Sequence, residues 1–302
     1  MPVTSGVPQG SVLGPILFLI FIDDMPQYTK NCQVRLFADD TIVYLTVTAI
    51  NDCENLQDDL KRLEKWEEEW QMEFHPAKCK ILRITRKKNK TIFPYTLHGQ
   101  ILEEVPSAKY LGITISNNMT WNKHIDKTAS KANSKLGFLR RNIKTKDQSL
   151  KAKAYKAIVR PTMEYCSTVW DPYTKTQSET LEKVQRRAAR WATGKLFDKS
   201  SVSDMKRDLG WRDLNQRRVD SRLCMMYKIT QGLVDIPIGQ FATFDRDGVH
   251  FQPIYGRTKY YEFSFFPRTV AVWNDLPKDT LSAPKFDKFK ENIVTIIHIM
   301  PY

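Results

Sequence analysis

Two short β-rich runs, Val34-Arg35-Leu36-Phe37 and Thr41-Ile42-Val43-Tyr44-Leu45, flank Ala38-Asp39-Asp40. Runs of this composition around so short a centre read as the arms of a hairpin from about Val34 to Leu45, with both carboxylates at or near its tip. The backbone then holds Asp39 and Asp40 close together, an arrangement able to bind a hard divalent cation such as Mg²⁺ through oxygen. Two metal ions in such a site activate an attacking hydroxyl and stabilise the leaving oxygens of a phosphoryl displacement. An Asp-Asp pair alone is more often a solvated turn, because Asp is common in turns. The neighbouring motifs must decide.

Ahead of the hairpin lies a turn-rich loop, Thr4-Ser5-Gly6-Val7-Pro8-Gln9-Gly10-Ser11, then an apolar run to Ile22 that reads as a helix. Pro15 is tolerated early in that helix, where its missing N–H costs little. After the hairpin, Leu56, Leu60, Leu63, Trp66 and Trp70 advance by 4, 3, 3 and 4, which predicts a helix over 53–72. Short strands are expected at Lys80–Thr85 and at Lys109–Ser116, the second interrupted by Gly112. A further helix places Ile125, Ala129, Ala132, Leu136 and Leu139 on one face and Lys123, Lys127, Lys131 and Lys135 on another. A second, from about Ser178 to Trp191, turns Leu181, Val184, Ala188 and Trp191 inward and leaves Lys183, Arg186, Arg187 and Arg190 elsewhere. One or two helices broken near Gly210 are expected over 201–230, and the segment beyond Phe241 reads as aromatic and strand-like.

Charge is unevenly spread. Residues 121–240 hold 26 Lys+Arg against 12 Asp+Glu, and the rest of the chain holds 21 against 22. One segment therefore carries the whole excess of +13, the pattern of a polyanion-binding surface. A single lysine stripe, by contrast, is usually just a solvated helix face. The five cysteines (Cys32, Cys53, Cys79, Cys166, Cys224) are odd in number and widely spaced, which argues against a disulfide scaffold and for a reduced compartment. With the five histidines they form no metal-ligand spacing, so no zinc site is expected. The longest apolar run, Ile16–Ile22, is far short of the roughly 20 residues of a membrane span.

Taken together, Ser5-Gly6-Val7-Pro8-Gln9-Gly10-Ser11-Val12-Leu13-Gly14-Pro15, then Phe37-Ala38-Asp39-Asp40, then Lys109-Tyr110-Leu111-Gly112 resemble the reverse transcriptase of non-LTR (LINE-type) retrotransposons, most closely the jockey/CR1-like group. The similarity extends through Cys166-Ser167-Thr168-Val169-Trp170, Gln185-Arg186-Arg187-Ala188-Ala189-Arg190 and Ser264-Phe265-Phe266-Pro267-Arg268. The resemblance implies an RNA-directed DNA polymerase that adds deoxynucleotides to a DNA primer on an RNA template. Two Mg²⁺ ions would serve the complete site, with Asp39 and Asp40 as metal ligands. Gly6, Pro8, Gln9 and Gly10 would lie against incoming nucleotide and template, and Tyr110, Leu111 and Gly112 near the primer end. Glycines let backbone approach a ligand closely, and an amide side chain both donates and accepts. Lys78 matches a family lysine that protonates the leaving pyrophosphate, although His75 stands where the family has Asn. Lys127, Lys131, Lys135, Arg186, Arg187 and Arg190 would hold the backbone of an RNA–DNA hybrid through sequence-independent, salt-sensitive contacts.

The implied fold is α+β: an incomplete polymerase palm at 1–117, a mostly helical thumb at 118–200, and a helical and aromatic-rich C-terminal segment at 201–302. The family's first metal-binding aspartate, its fingers and its endonuclease are expected upstream of the motifs present here, so the isolated chain is expected to polymerise little or nothing. RNA template and DNA primer are the expected partners, with no membrane, and an intracellular location in cytoplasm and nucleus. A non-catalytic RNA/DNA-binding protein derived from a retroelement is the alternative, and a decayed reading frame a third. Ten aromatics between Phe241 and Trp273 could stack single-stranded bases, but read more readily as the core of a small subdomain.

Overall fold

Pro15 opens helix α1 (Gly14–Ile22), and Ser11 Oγ accepts the otherwise unpaired Gly14 N–H at 3.0 Å. The computed structural model describes residue 6 and residues 10–195 and 200–297. These fall into two compact units, 1–120 and 121–302.

In the first unit, β1 (Gln33–Phe37) and β2 (Asp40–Tyr44) pair antiparallel, with Val34 opposite Val43 and Phe37 opposite Asp40. Helix α2 (Ile50–Trp70) begins three residues before the sequence period, because Asp52 reaches back to the N–H groups of Thr48 and Ala49. It ends at Gln71, whose φ of +53° turns the chain out of the helix. Val34, Leu63 and Trp66 are buried together with Ile22 and Met25, so one face of the hairpin shares a core with α1 and α2.

Asp59 anchors the loop leading into β1. Its fully buried carboxylate accepts the backbone N–H groups of Lys30, Asn31 and Cys32 at 3.0, 2.7 and 2.8 Å, and Arg62 pairs with it at 2.6 Å. Burial pushes its pKa upward, but the three backbone donors outweigh burial and hold it below the usual range. Its contribution to stability is therefore complete above the unfolded value of about 3.9 and is lost as pH falls through the folded value. Asp59→Ala is expected to cost about 3 kcal/mol at pH 7. In urea titrations the wild type should lose stability as pH falls below about 4, and the variant should lose less over that range.

Three more small pairings complete this unit. β3 (Lys80–Ile81) runs parallel to β6 (Glu103–Glu104), and β4 (Thr96–Leu97) and β5 (Gln100–Ile101) form a hairpin. The strand expected over Lys80–Thr85 stops after two residues because its partner does, and Arg83 leaves to bind Glu104. The single interrupted strand expected at Lys109–Ser116 is instead a hairpin, β7 (Ser107–Tyr110) with β8 (Ile113–Ser116). It turns at Leu111-Gly112, with φ of +44° and +84°, and Leu111 holds a conformation that side chains disfavour.

Helix α1 is apolar all round yet mostly uncovered. Val12, Leu13, Ile16, Leu17, Leu19 and Ile20 are exposed, and only Gly14 and Ile22 of the helix are buried. A surface helix normally presents a polar face to water. The 302-residue polypeptide should therefore self-associate at micromolar concentration. Replacing Ile16 and Ile20 with Gln should suppress light scattering while leaving the melting temperature nearly unchanged, since neither is buried.

The second unit is helical. Helix α3 (Asn122–Asn142) buries Ile125, Ala129, Ala132, Leu136 and Leu139, the predicted face. Asp147 caps α4 (Gln148–Ala154), which continues through a π turn at Tyr155–Val159 into α5 (Arg160–Glu164). Pro161 explains the wide turn: it lacks an N–H and crowds the carbonyl four residues back. Then follow α6 (Ser167–Trp170), α7 (Lys175–Thr193), α8 (Val202–Asp208) and α9 (Leu214–Thr230), the last two separated at Gly210 as expected. Gly194, at φ +75°, closes α7.

Beyond Phe241 the expected strands are absent among the described residues apart from one bridge, Phe244 to Phe251. The segment folds as α10 (Lys259–Glu262), α11 (Phe265–Asn274), α12 (Lys278–Leu281) and α13 (Phe286–Ile297). Its aromatic and β-branched composition mimicked strands. The helical spacing of Phe266, Val270 and Trp273 is the signal that decides, and Val270, Trp273, Phe289 and Ile293 pack on Leu223, Met226 and Tyr227 of α9.

Candidate functional site

The hairpin tip is a two-residue turn, Ala38-Asp39, and Ala38 adopts φ +50°, the left-handed backbone that a turn this tight demands. Register fixes the faces. Val34, Leu36 and Val43 face the core, so Arg35, Phe37, Asp40, Ile42 and Tyr44 share the opposite, open face. Phe37 is 63% exposed there, and the Arg35 guanidinium lies 6.0 Å from the centre of the Tyr44 ring.

Both carboxylates at the tip are exposed, and neither makes a hydrogen bond or ion pair among the described residues. Two hard oxygen donors on adjacent residues, free of competing cations, suit Mg²⁺. They supply only part of a coordination shell. Among the described residues no cluster of three or more His, Cys, Asp or Glu could hold a metal ion.

Nearby motifs fall as follows. Gly6 and Gly10 have φ of +78° and +85° and face open space, a backbone that favours glycine. Pro8 and Gln9 lie outside the described residues. Lys78 is exposed at the end of a 3₁₀ turn, Pro76–Lys78, and no ion pair joins it to Asp39 or Asp40. Tyr110, Leu111 and Gly112 form the end and turn of the β7–β8 hairpin rather than a strand with a bulge. Asp24, just beyond α1, accepts the Trp66 indole N–H through its Oδ1 at 2.8 Å.

In the second unit, Lys127, Lys131 and Arg187 are exposed, and Arg187 Nη1 donates to Asn133 Oδ1 at 3.1 Å, tying α7 to α3. The other three expected backbone contacts are not free. Lys135 is half-buried and donates to Thr162 Oγ1 at 2.8 Å. Arg186 forks onto Glu179, and Arg190 is half-buried. Helix period alone cannot show this, because tertiary packing brings Thr162 to Lys135 and Glu179 lies two full turns from Arg186. The exposed stripe instead continues along α3 from Lys123 through Lys127 and Lys131 to Phe138 and Arg141. Phe138, 56% exposed among cations, escaped the sequence reading; its break with the apolar period was the available signal. Beneath the stripe, burial and then the Lys127 charge hold His124 below its ordinary pKa.

No helix among the described residues is long and apolar enough to cross a membrane. Residues 1–115 match the family model for reverse transcriptase (RNA-dependent DNA polymerase). The chain is 27% identical over 219 residues to the RNA-directed DNA polymerase of the mobile element jockey from Drosophila melanogaster, covering 69% of this chain and 24% of that protein. It is 29% identical over 206 residues to the probable RNA-directed DNA polymerase from transposon X-element of the same fly, covering 64% and 22%. With the corresponding probable polymerase from transposon BS, also of that fly, the identity is 30% over 201 residues, covering 63% and 22%. The chain thus spans about a quarter of the length of these relatives. No solved structure matches it.

Proposed function

We propose that this chain, whose first 115 residues carry a reverse transcriptase domain of the non-LTR retrotransposon type, is the metal-binding and nucleic-acid-holding part of an RNA-directed DNA polymerase. The observation that carries the reading is the hairpin itself: within the matched residues, Asp39 and Asp40 stand unpaired at an exposed two-residue tip. In this reading the first unit is polymerase palm and α3 to α7 of the second act as thumb.

Asp39 and Asp40 would hold Mg²⁺, which when bound supplies the positive charge that developing phosphoryl-transfer chemistry needs. The rest is positioning. The glycine loop at Gly6 to Gly10 brings backbone close to template and nucleotide, the β7–β8 turn lies toward the primer end, and Lys78 supplies a proton to the leaving pyrophosphate. The exposed cations on α3 and α7 neutralise phosphates of the RNA–DNA hybrid.

Binding tests this directly. The 302-residue polypeptide should bind a short RNA–DNA hybrid with log affinity falling linearly in log salt, by roughly 0.9 per neutralised phosphate for a duplex of B-DNA charge density. Replacing Lys127 and Lys131 with Ala should reduce the slope by roughly one per lysine, across all sequences equally. Affinity independent of salt, or unchanged in the double variant, would show these lysines to be merely solvated. A second reading is a non-catalytic RNA/DNA-binding protein derived from a retroelement, which primer extension distinguishes from the first.

A further inference from the structure

The loop between α9 and α10 builds a cleft that the polymerase chemistry does not use. Its two segments pair briefly: the Gln252 N–H donates to the Thr243 carbonyl at 2.9 Å, and Phe244 bridges to Phe251. Pro253 has no N–H to extend the ladder, so the segments part. Between residues 239–243 and 252–255 they leave an open cleft of about 330 Å³. That volume is at the small end of ligand sites, about 300–1,000 Å³.

The cleft stands on a fixed base. Asn274 of α11 holds Phe251 by both backbone groups, at 3.0 and 2.7 Å, and the Phe251 ring is buried in the core. Phe241 stacks on Phe266 with ring centres 4.6 Å apart and planes 2° apart. Gly256 then passes so close to Glu262 that an added Cβ would lie 2.8 Å from its backbone nitrogen, which fixes the exit of the chain.

Two exposed amides and a hydroxyl stand in the lining beside the apolar Phe241, Pro253 and Ile254. Gln240, Gln252 and Thr243 present side chains with no hydrogen-bond partner among the described residues. Each amide can donate and accept at once, which matches the mixed edge of a nucleobase and would be wasted on an apolar peptide. At the cleft Tyr255 stands 88% exposed, whereas Phe251, four residues earlier, is buried. Arg257 and Lys259 follow immediately, exposed and without ion pairs among the described residues. An aromatic face, unpaired amides and adjacent cations are the elements that stack, read and neutralise one nucleotide of a single strand.

We propose that this cleft binds a nucleobase of single-stranded nucleic acid, stacked on Tyr255 and hydrogen-bonded by Gln240 and Gln252. The inference deepens the nucleic-acid reading above and rests on it, but it uses different residues. The probe is an eight-nucleotide oligouridylate carrying one 5-iodouridine, irradiated with the full 302-residue polypeptide and mapped by peptide mass spectrometry. The crosslink should fall on Tyr255, and Tyr255→Ala should weaken binding of the unmodified oligomer by about tenfold. Tyr255→Phe should retain affinity, and Gln240→Ala with Gln252→Ala should weaken it. Tyr255 is solvent-exposed, so these effects should appear with the melting temperature unchanged. Competition by uridine monophosphate at millimolar concentration would assign the cleft to free nucleotides as well as strands; competition by the oligomer alone would assign it to strands. Replacing Lys127 and Lys131 should weaken hybrid binding and leave the Tyr255 crosslink in place. A crosslink mapped elsewhere, or oligomer affinity unaltered in Tyr255→Ala while hybrid binding persists, would overturn the cleft and spare the thumb reading. Failure of the unsubstituted polypeptide to bind the hybrid, with the Tyr255 crosslink present, would overturn the thumb reading and spare the cleft.

Discussion

Asp171→Ala is expected to cost the second unit about 3–5 kcal/mol, a large part of the stability of an ordinary domain. Asp171 is buried, and three arginines converge on it. Arg218 Nε reaches Oδ1 at 2.7 Å, and Arg222 Nε and Arg268 Nη1 lie 2.9 and 3.2 Å from Oδ2. Arg268 also donates to the Asp171 backbone carbonyl at 3.1 Å, and Arg218 to Ser178 Oγ at 3.0 Å. The side chains of Arg218 and Arg222 are only 1% and 4% exposed. Burial, reinforced by Arg268, pushes the Arg222 pKa down to about 10 against the pull of Asp171. The single carboxylate is thus the counter-charge for more positive charge than it carries. Removing it strands buried guanidinium groups, a far larger penalty than a lost surface pair. Urea denaturation followed by tryptophan fluorescence should show the loss, with Asp171→Asn also strongly destabilised because shape without charge does not balance the arginines. Arg268→Met should be much milder, since it removes a partly exposed cation from the surplus. A change below about 1 kcal/mol in Asp171→Ala would mean the arginines find other partners.

That cluster marks the limit of what the sequence reveals. Asp171 follows a motif and Arg268 ends another, 97 residues apart, and no period or spacing connects them. Local patterns were legible because one physical rule produced each. The apolar step of 4 and 3 placed α2, α3 and α7, and β-rich runs about a tight acidic centre placed the hairpin. Where two rules compete, the sequence misleads. Composition made the segment beyond Phe241 look like strands, but the spacing of Phe266, Val270 and Trp273 and burial against α9 made it helical. Those contacts also mean that a fragment ending at residue 240 would strip α9 of Val270, Trp273 and Phe289, so the basic helices are best tested in the intact chain. In the site, residue types at the tip were readable from the motif, whereas the availability of each cation was not. Arg186 and Arg187 are neighbours in sequence, yet Glu179 neutralises one and leaves the other exposed.

A polypeptide of these 302 residues is expected to give no primer extension on a primed RNA template with Mg²⁺ and deoxynucleotides. The argument is one of coordination and positioning. Asp39 and Asp40 offer oxygen ligands from one hairpin tip, and no third ligating side chain joins them among the described residues. A pair of ions bridging attacking and leaving oxygens needs ligands on more than one side, and this chemistry depends almost wholly on holding charge and reactants in place. Supplying the polymerase region of a jockey-type relative, in trans or fused ahead of Gly6, should restore extension if the pieces dock. In that assembly Asp39→Asn, which keeps shape and removes charge, should lower the rate by at least on the order of 10²–10³. Asp24→Asn is the contrasting control, because Asp24 is committed to the Trp66 indole and should affect stability more than rate. Robust extension by the 302 residues alone, abolished in Asp39→Asn, would overturn the incomplete site. It would require a further carboxylate to reach the tip, with Asp23, exposed at the end of α1, the first to replace.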